Sequence, residues 1–129
     1  MRYSVAADVV NEYGYENVRA WADLEATGNA ITDATIAARI AYQCSAADAL
    51  IDAHLRCSNL SFLLPLQTVP LLITKISAII AGYWLYHPRG TRDMDQKGEA
   101  VDILTATYKE HLHWLDMIAH DQLKLGIEG

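Results

Sequence analysis

The chain has 129 residues, 52% of them apolar and 20% charged, a balance that fits one globular domain able to fold without staples. Its formal charge is −6 and its sequence pI is near 5.2, which excludes a protein that grips nucleic-acid phosphates through clustered Lys and Arg. An acidic surface can still let DNA pass without sticking, because like charges repel. The two cysteines, Cys44 and Cys57, would stand about 20 Å apart on one helix. That is too far for a disulfide, so thiols in a reducing compartment are expected. Met1-Arg2-Tyr3-Ser4 leads into a mixed polar and apolar run, which predicts no signal peptide.

In chain order, Ser4 is the expected cap of a short helix from about Val5 to Tyr13, stopped by Gly14. Val5, Val9 and Tyr13 give it one apolar stripe, with Asp8 in its early turns. A second short helix is predicted over Glu16 to Leu24, with Val18, Trp21 and Leu24 inward. Residues 26–30 read as a loop. Thr32 then reads as the cap of a long helix to about Arg56, whose inner face is Ile36, Ile40, Cys44, Ala47, Ile51 and Leu55. Eight alanines between Ala34 and Ala53 keep the rest of that helix slim enough for close packing. Asp52 and Arg56 are expected as an exposed i,i+4 pair.

Leu63-Leu64-Pro65-Leu66-Gln67-Thr68-Val69-Pro70 is an apolar strap that two prolines hold out of helix. It runs into Leu71 to Tyr86, which has almost no polar face and must be buried on all sides. Large residues (Leu72, Ile73, Ile76, Ile79, Ile80, Tyr83, Trp84) form one arc, and Thr74, Ser77, Ala78 and Ala81 form the opposite one. The small arc invites a neighbouring helix at short range. About sixteen residues with Lys75 near the start fall short of the roughly 20 that span a bilayer, so the segment is read as a core helix and no membrane contact is expected. His87-Pro88-Arg89-Gly90 ends it. A last long helix is predicted from Asp93 or Asp95 to about His120, with Val101, Leu104, Tyr108, Leu112, Leu115 and Ile118 as its stripe. No strand pattern, repeat or low-complexity tract appears. The expected fold is all-α: a helical domain of four to five helices over residues 1–121, two short and three long, with an extended tail at 122–129.

Catalytic signatures are missing. There is no Gly-rich phosphate loop, no nucleophile elbow and no Cys–His pattern, so no catalytic residue and no cofactor is expected. His54 and Cys57 lie three apart on one helix and form a possible two-ligand face; a small helical metal-binding protein or enzyme built on them is the alternative reading. His111 and His113 diverge by about 200° on a helix and cannot share an ion. His87 and His120 stand alone near helix ends. Asp48 and Asp52 share a helix face, as do Asp93 and Lys97, outside any di-metal pattern. Arg89, Arg92 and Lys97 make a small basic patch in a turn. Tyr83, Trp84, Tyr86, Tyr108 and Trp114 are expected at helix junctions, with a share of them facing another subunit.

The strap "LPL…VP" (Leu64-Pro65-Leu66, Val69-Pro70) and the ending "WLDMIA…LG" (Trp114 to Ala119, then Leu125-Gly126) occur in a fixed order around the apolar helix. Together they resemble the Mu-type phage and prophage family of small head–tail connector, or adaptor, proteins, over nearly the whole chain from Tyr3 to Gly126. The family's aromatic before the strap is replaced here by Cys57-Ser58-Asn59-Leu60-Ser61-Phe62, which shifts the aromatic role to Phe62. The resemblance implies a non-enzymatic virion protein of the phage neck, made in the host cytoplasm. It implies a ring of twelve copies that joins the portal protein to a tail-terminator or tail-completion protein, with genomic DNA passing through its channel. It also implies that an extended C-terminal segment docks on the portal: Gln122, Leu123, Lys124, Leu125, Gly126, Ile127, Glu128 and Gly129.

Overall fold

Among the residues that this computed structural model describes (3–58, 64, 66–90, 98–123 and 125), five helices follow one another and no strand appears. They are α1 (Ala6–Tyr13), α2 (Tyr15–Ala22), α3 (Ala34–Leu55), α4 (Leu71–Gly90) and α5 (Gly98–Ala119). The all-α expectation holds, with two short helices and three long ones. Helix α4 is the centre of the fold and touches each of the other four. Its apolar sequence requires this. Ile73, Ile76 and Ile80 have no access to solvent, and burial of each contributes about 1.5–3 kcal/mol. It continues one turn past Tyr86, through Pro88 to Gly90.

The expected stripe of α3 is buried at every position: Ile36, Ile40, Cys44, Ala47, Ile51 and Leu55. The cap differs. Asp33, not Thr32, precedes the helix and accepts the amides of Thr35 and Ile36 at 3.0 and 3.3 Å. An aspartate carboxylate caps as well as or better than a threonine hydroxyl, and its charge suits the positive helix start. Arg56 and Asp52 do not form the surface pair expected of them, because Asp52 accepts the Tyr3 hydroxyl instead.

At the start of the chain, Val5 rather than Ser4 stands at the head of α1, and its amide donates to the Asp8 carboxylate at 2.9 Å. Val5 is exposed, so of the expected α1 stripe Val9 and Tyr13 face inward, joined by Ala6 and Val10. Gly14, at φ +90, separates α1 from α2, a conformation that L side chains rarely adopt. Helix α2 ends at Ala22, which leaves Leu24 exposed rather than inward. The small arc of α4 does admit α1. The Tyr13 ring lies over Gly82, where a Cβ would come within 2.1 Å of it, and the Tyr13 hydroxyl donates to the Ile79 carbonyl at 2.6 Å.

Pro70 leads directly into α4, and its carbonyl accepts the amides of Ile73 and Thr74 at 3.0 and 3.2 Å. Leu66 of the strap is fully buried. Phe62 and the expected α5 caps, Asp93 and Asp95, lie outside the described residues. Helix α5 buries His111, Leu115, Ile118 and Ala119. It closes with Asp121 at φ +60, the Asp121 and Gln122 amides donating to the carbonyls of Ile118 and Met117 at 3.1 and 2.8 Å.

Candidate interaction surface

Helix α3 carries two different faces, and each builds one feature. Inward, its apolar stripe is interrupted by Asp48, which is 5% exposed. The Asp48 carboxylate accepts the Tyr3 amide at 3.0 Å and the Ser77 hydroxyl of α4 at 2.7 Å. Because the Ser77 proton is committed to Asp48, Ser4 is the donor in its 2.6 Å contact with Ser77. One turn along α3, Asp52 takes the Tyr3 hydroxyl, whose oxygen accepts the Leu66 amide at 3.1 Å. Two residues ahead of α1 thus tie α3, α4 and the strap together. Burial, then the bond to Asp52, pushes the Tyr3 phenol up to about 12, so it stays a donor. Burial also raises the Asp48 carboxyl above the usual range, against the pull of its two hydrogen bonds. The shared face of Asp48 and Asp52 was legible in the sequence; Tyr3, their common partner across the fold, and the Ser4 bond to Ser77 were not.

The outward face of α3 is unfinished. Ala34, Thr35, Ala38, Arg39, Tyr42 and Gln43 form one wall of an open groove of about 530 Å³, and Trp21, Leu24, Trp84 and Leu85 form the other. Tyr42 is 70% exposed. Arg39 frames the rim: it donates to the Ala22 carbonyl at 2.9 Å and pairs with Glu25. The loop behind it is held by Asp23, whose carboxylate accepts the Thr27 amide and hydroxyl, both at 2.9 Å, and the Gly28 amide at 2.8 Å. The Thr27 bonds first, with the Gly28 amide and Arg19 adding to them, hold the Asp23 carboxyl below the usual range. Tyr42 was missed by sequence reading, although its position carried a signal: it lies two residues past Ile40, on the far side of the helix from the core stripe.

Three of the aromatic residues singled out from sequence, Tyr83, Tyr86 and Tyr108, join Tyr13 and Trp21 in a continuous row. Ring centroids run Tyr13 to Trp21 at 5.3 Å, Trp21 to Tyr86 at 5.0 Å, Tyr86 to Tyr83 at 6.1 Å and Tyr83 to Tyr108 at 4.1 Å, the last pair stacked. Trp84 donates its indole N–H to the Tyr108 hydroxyl at 3.1 Å. Most of these rings therefore satisfy one another, and Trp21 and Trp84 also present an edge to the groove. Trp114 packs against His111 instead, at 4.6 Å.

The histidines do not converge. His54, His111 and His120 each place Nδ1 on the carbonyl four residues back, at 3.0, 2.8 and 2.8 Å, so Nδ1 carries the proton. Cys57 is exposed at the end of α3, Cys44 is in the core, and no disulfide joins them. Among the described residues no three His, Cys, Asp or Glu side chains could hold one metal ion, so the His54 and Cys57 pair has no third ligand there. The side chains of Arg89, Arg92 and Lys97 lie outside the described residues. In the expected portal-docking segment, Leu123 and Leu125 pack against the core, while residues 124 and 126–129 lie outside the described residues. Among the described residues no helix is long and apolar enough to cross a membrane.

No curated protein matches the chain. The family model described as bacteriophage Mu, Gp36 matches residues 3–129, from the tied Tyr3 to the last residue, and the chain accordingly belongs to this family of phage proteins.

Proposed function

We propose that this protein is a structural, non-enzymatic component of a tailed-phage particle, a connector that joins the portal to the tail. The observation that carries the reading is the family match, which runs through the strap, the apolar helix and the "WLDMIA…LG" ending. In this reading the chain forms a ring, of twelve copies as the connector resemblance implies, and sits in the virion neck after assembly in the host cytoplasm. Its partners are its own copies, the portal protein and a tail-terminator or tail-completion protein. The segment from Gln122 to Gly129 docks on the portal.

Physical features support this. The net charge of −6, repeated around a ring, lines a channel that repels DNA and lets it slide. The groove beside α3 leaves tryptophan edges and an exposed tyrosine where a neighbouring subunit would cover them. No step of chemistry is needed for joining two rings, and the mechanism is binding.

The test is genetic and structural. Phage lacking this gene product should yield DNA-filled heads and separate tails, and restoring it should join them. Electron microscopy of the joined particle should show a ring of density in the neck that fits this five-helix domain. Normal tailed particles without the protein, or a neck with no such density, would refute the connector role.

A further inference from the structure

Residues 3 and 4 stand ahead of α1, outside any helix, and both are buried, yet their bonds reach three other elements of the fold. Tyr3 supplies the hydroxyl that receives the Leu66 amide, across 63 positions of sequence. The strap needs such an acceptor from elsewhere, because a segment broken by prolines cannot bond its own amides in a helical ladder. Val5 joins this pair to α1. It is exposed and extended (φ −132, ψ 175), and its amide is held by the nearby Asp8 carboxylate rather than by the core.

The slot that receives the pair has its own internal bond, from Ser77 to Asp48 at 2.7 Å. Withdrawal of residues 3 and 4 leaves that bond in place. It removes the Tyr3 partners of Asp52 and Leu66, one acceptance at Asp48 and the Ser4 bond to Ser77. The helices lose no ladder hydrogen bond. Swinging about Val5 draws the buried Tyr3 ring, 2% exposed, out of the core but breaks no helix hydrogen bond, so the opening is confined to the strap side of the domain.

We infer that Tyr3 and Ser4 form a latch that fixes the strap residues 66–70 against α3 and α4, and that this latch opens locally while the helices stay folded. Closed, the latch sets how the chain enters α4. Open, it uncouples the strap from α3 and bares the Asp48–Ser77 slot.

Hydrogen exchange of the full chain, read by mass spectrometry, tests this with Tyr3→Phe. The variant keeps the ring and the backbone bond to Asp48 and removes only the hydroxyl. Exchange in peptides covering 66–69 should rise about tenfold, the effect of roughly one lost hydrogen bond, while the centres of α3 and α5 exchange as before. An unchanged strap overturns the inference, because burial of Leu66 alone would then hold it. An equal rise in α3, α4 and α5, or failure to fold, also overturns it, because Tyr3 would then support the whole domain rather than a local latch.

Discussion

The inner and outer faces of α3 make opposite use of the same helix. Inside, a charged side chain sits in the core and every group that touches it has a hydrogen-bond partner: Tyr3, Ser77, and Ser4 behind them. Outside, Tyr42 and the Ala34–Ala38 floor lie open beside two tryptophan edges. Burial makes an unmet polar group costly, so the inner face tolerates no loose ends. Exposure makes an unmet apolar group cheap in the monomer, so the outer face can wait for a partner. One face is where this fold is most vulnerable to mutation, and the other is where it is most available to a neighbour.

The largest test of that contrast is Asp48→Ala. It strands the Tyr3 amide in the core, leaves the Ser77 hydroxyl with Ser4 alone, and should lower stability by about 2–4 kcal/mol, measured by urea unfolding. Next is Gly82→Ala. The new methyl meets the Tyr13 ring, and the overpacking should cost about 1–3 kcal/mol, more than the gain of up to about 1 kcal/mol in helix propensity. A lowered melting point with a changed near-UV spectrum would report the displaced ring. Tyr42→Ser should leave stability within about 0.5 kcal/mol while weakening joining of heads to tails in a complementation assay. If it destabilised the monomer as Asp48→Ala does, the contrast between the faces would collapse.

The smallest effect is a pair of opposed pH dependences. The folded Asp48 carboxyl is raised, so its contribution is full below the unfolded value of about 3.9 and is lost as pH rises through the folded value. The Asp23 carboxyl is lowered, so its contribution is present above about 3.9 and is lost as pH falls through its folded value. Denaturant midpoints followed from about pH 3 to pH 8 should lose the first slope in Asp48→Asn and the second in Asp23→Asn. Retention of either slope in its variant would assign it to another group.

Much of the scaffold was readable before any coordinates. Periodicity identified the α3 stripe residue for residue, and the lack of a polar face identified α4 as the central helix, because both signals are local and repeat over many turns. The two misplaced caps have different causes: beside Thr32 the next residue, Asp33, caps at least as well. Ser4 is a good cap by type, but its hydroxyl finds Ser77, 73 residues away, and no local pattern encodes that choice. Leu24 and Val5 were expected inward from spacing alone, yet each stands just outside its helix, where the periodicity no longer applies. The aromatic cluster pointed correctly to the end of α4. The open groove did not emerge from sequence, because alanines suited to close packing look the same whether or not anything packs on them.

The central position of α4 also bears on how the chain is made. A ribosome releases α1, α2 and α3 before the helix that all of them pack against. Val9, Val18, Ile36 and Ile40 therefore have only one another to cover them until residues near 86 emerge. The domain gains its core late and nearly all at once, with the ties from Tyr3 to Leu66 and from Ser4 to Ser77 among the long-range contacts that slow such folding. The nascent first half is therefore the stage most exposed to aggregation, and overproduction in a host short of chaperones should send the chain to aggregates.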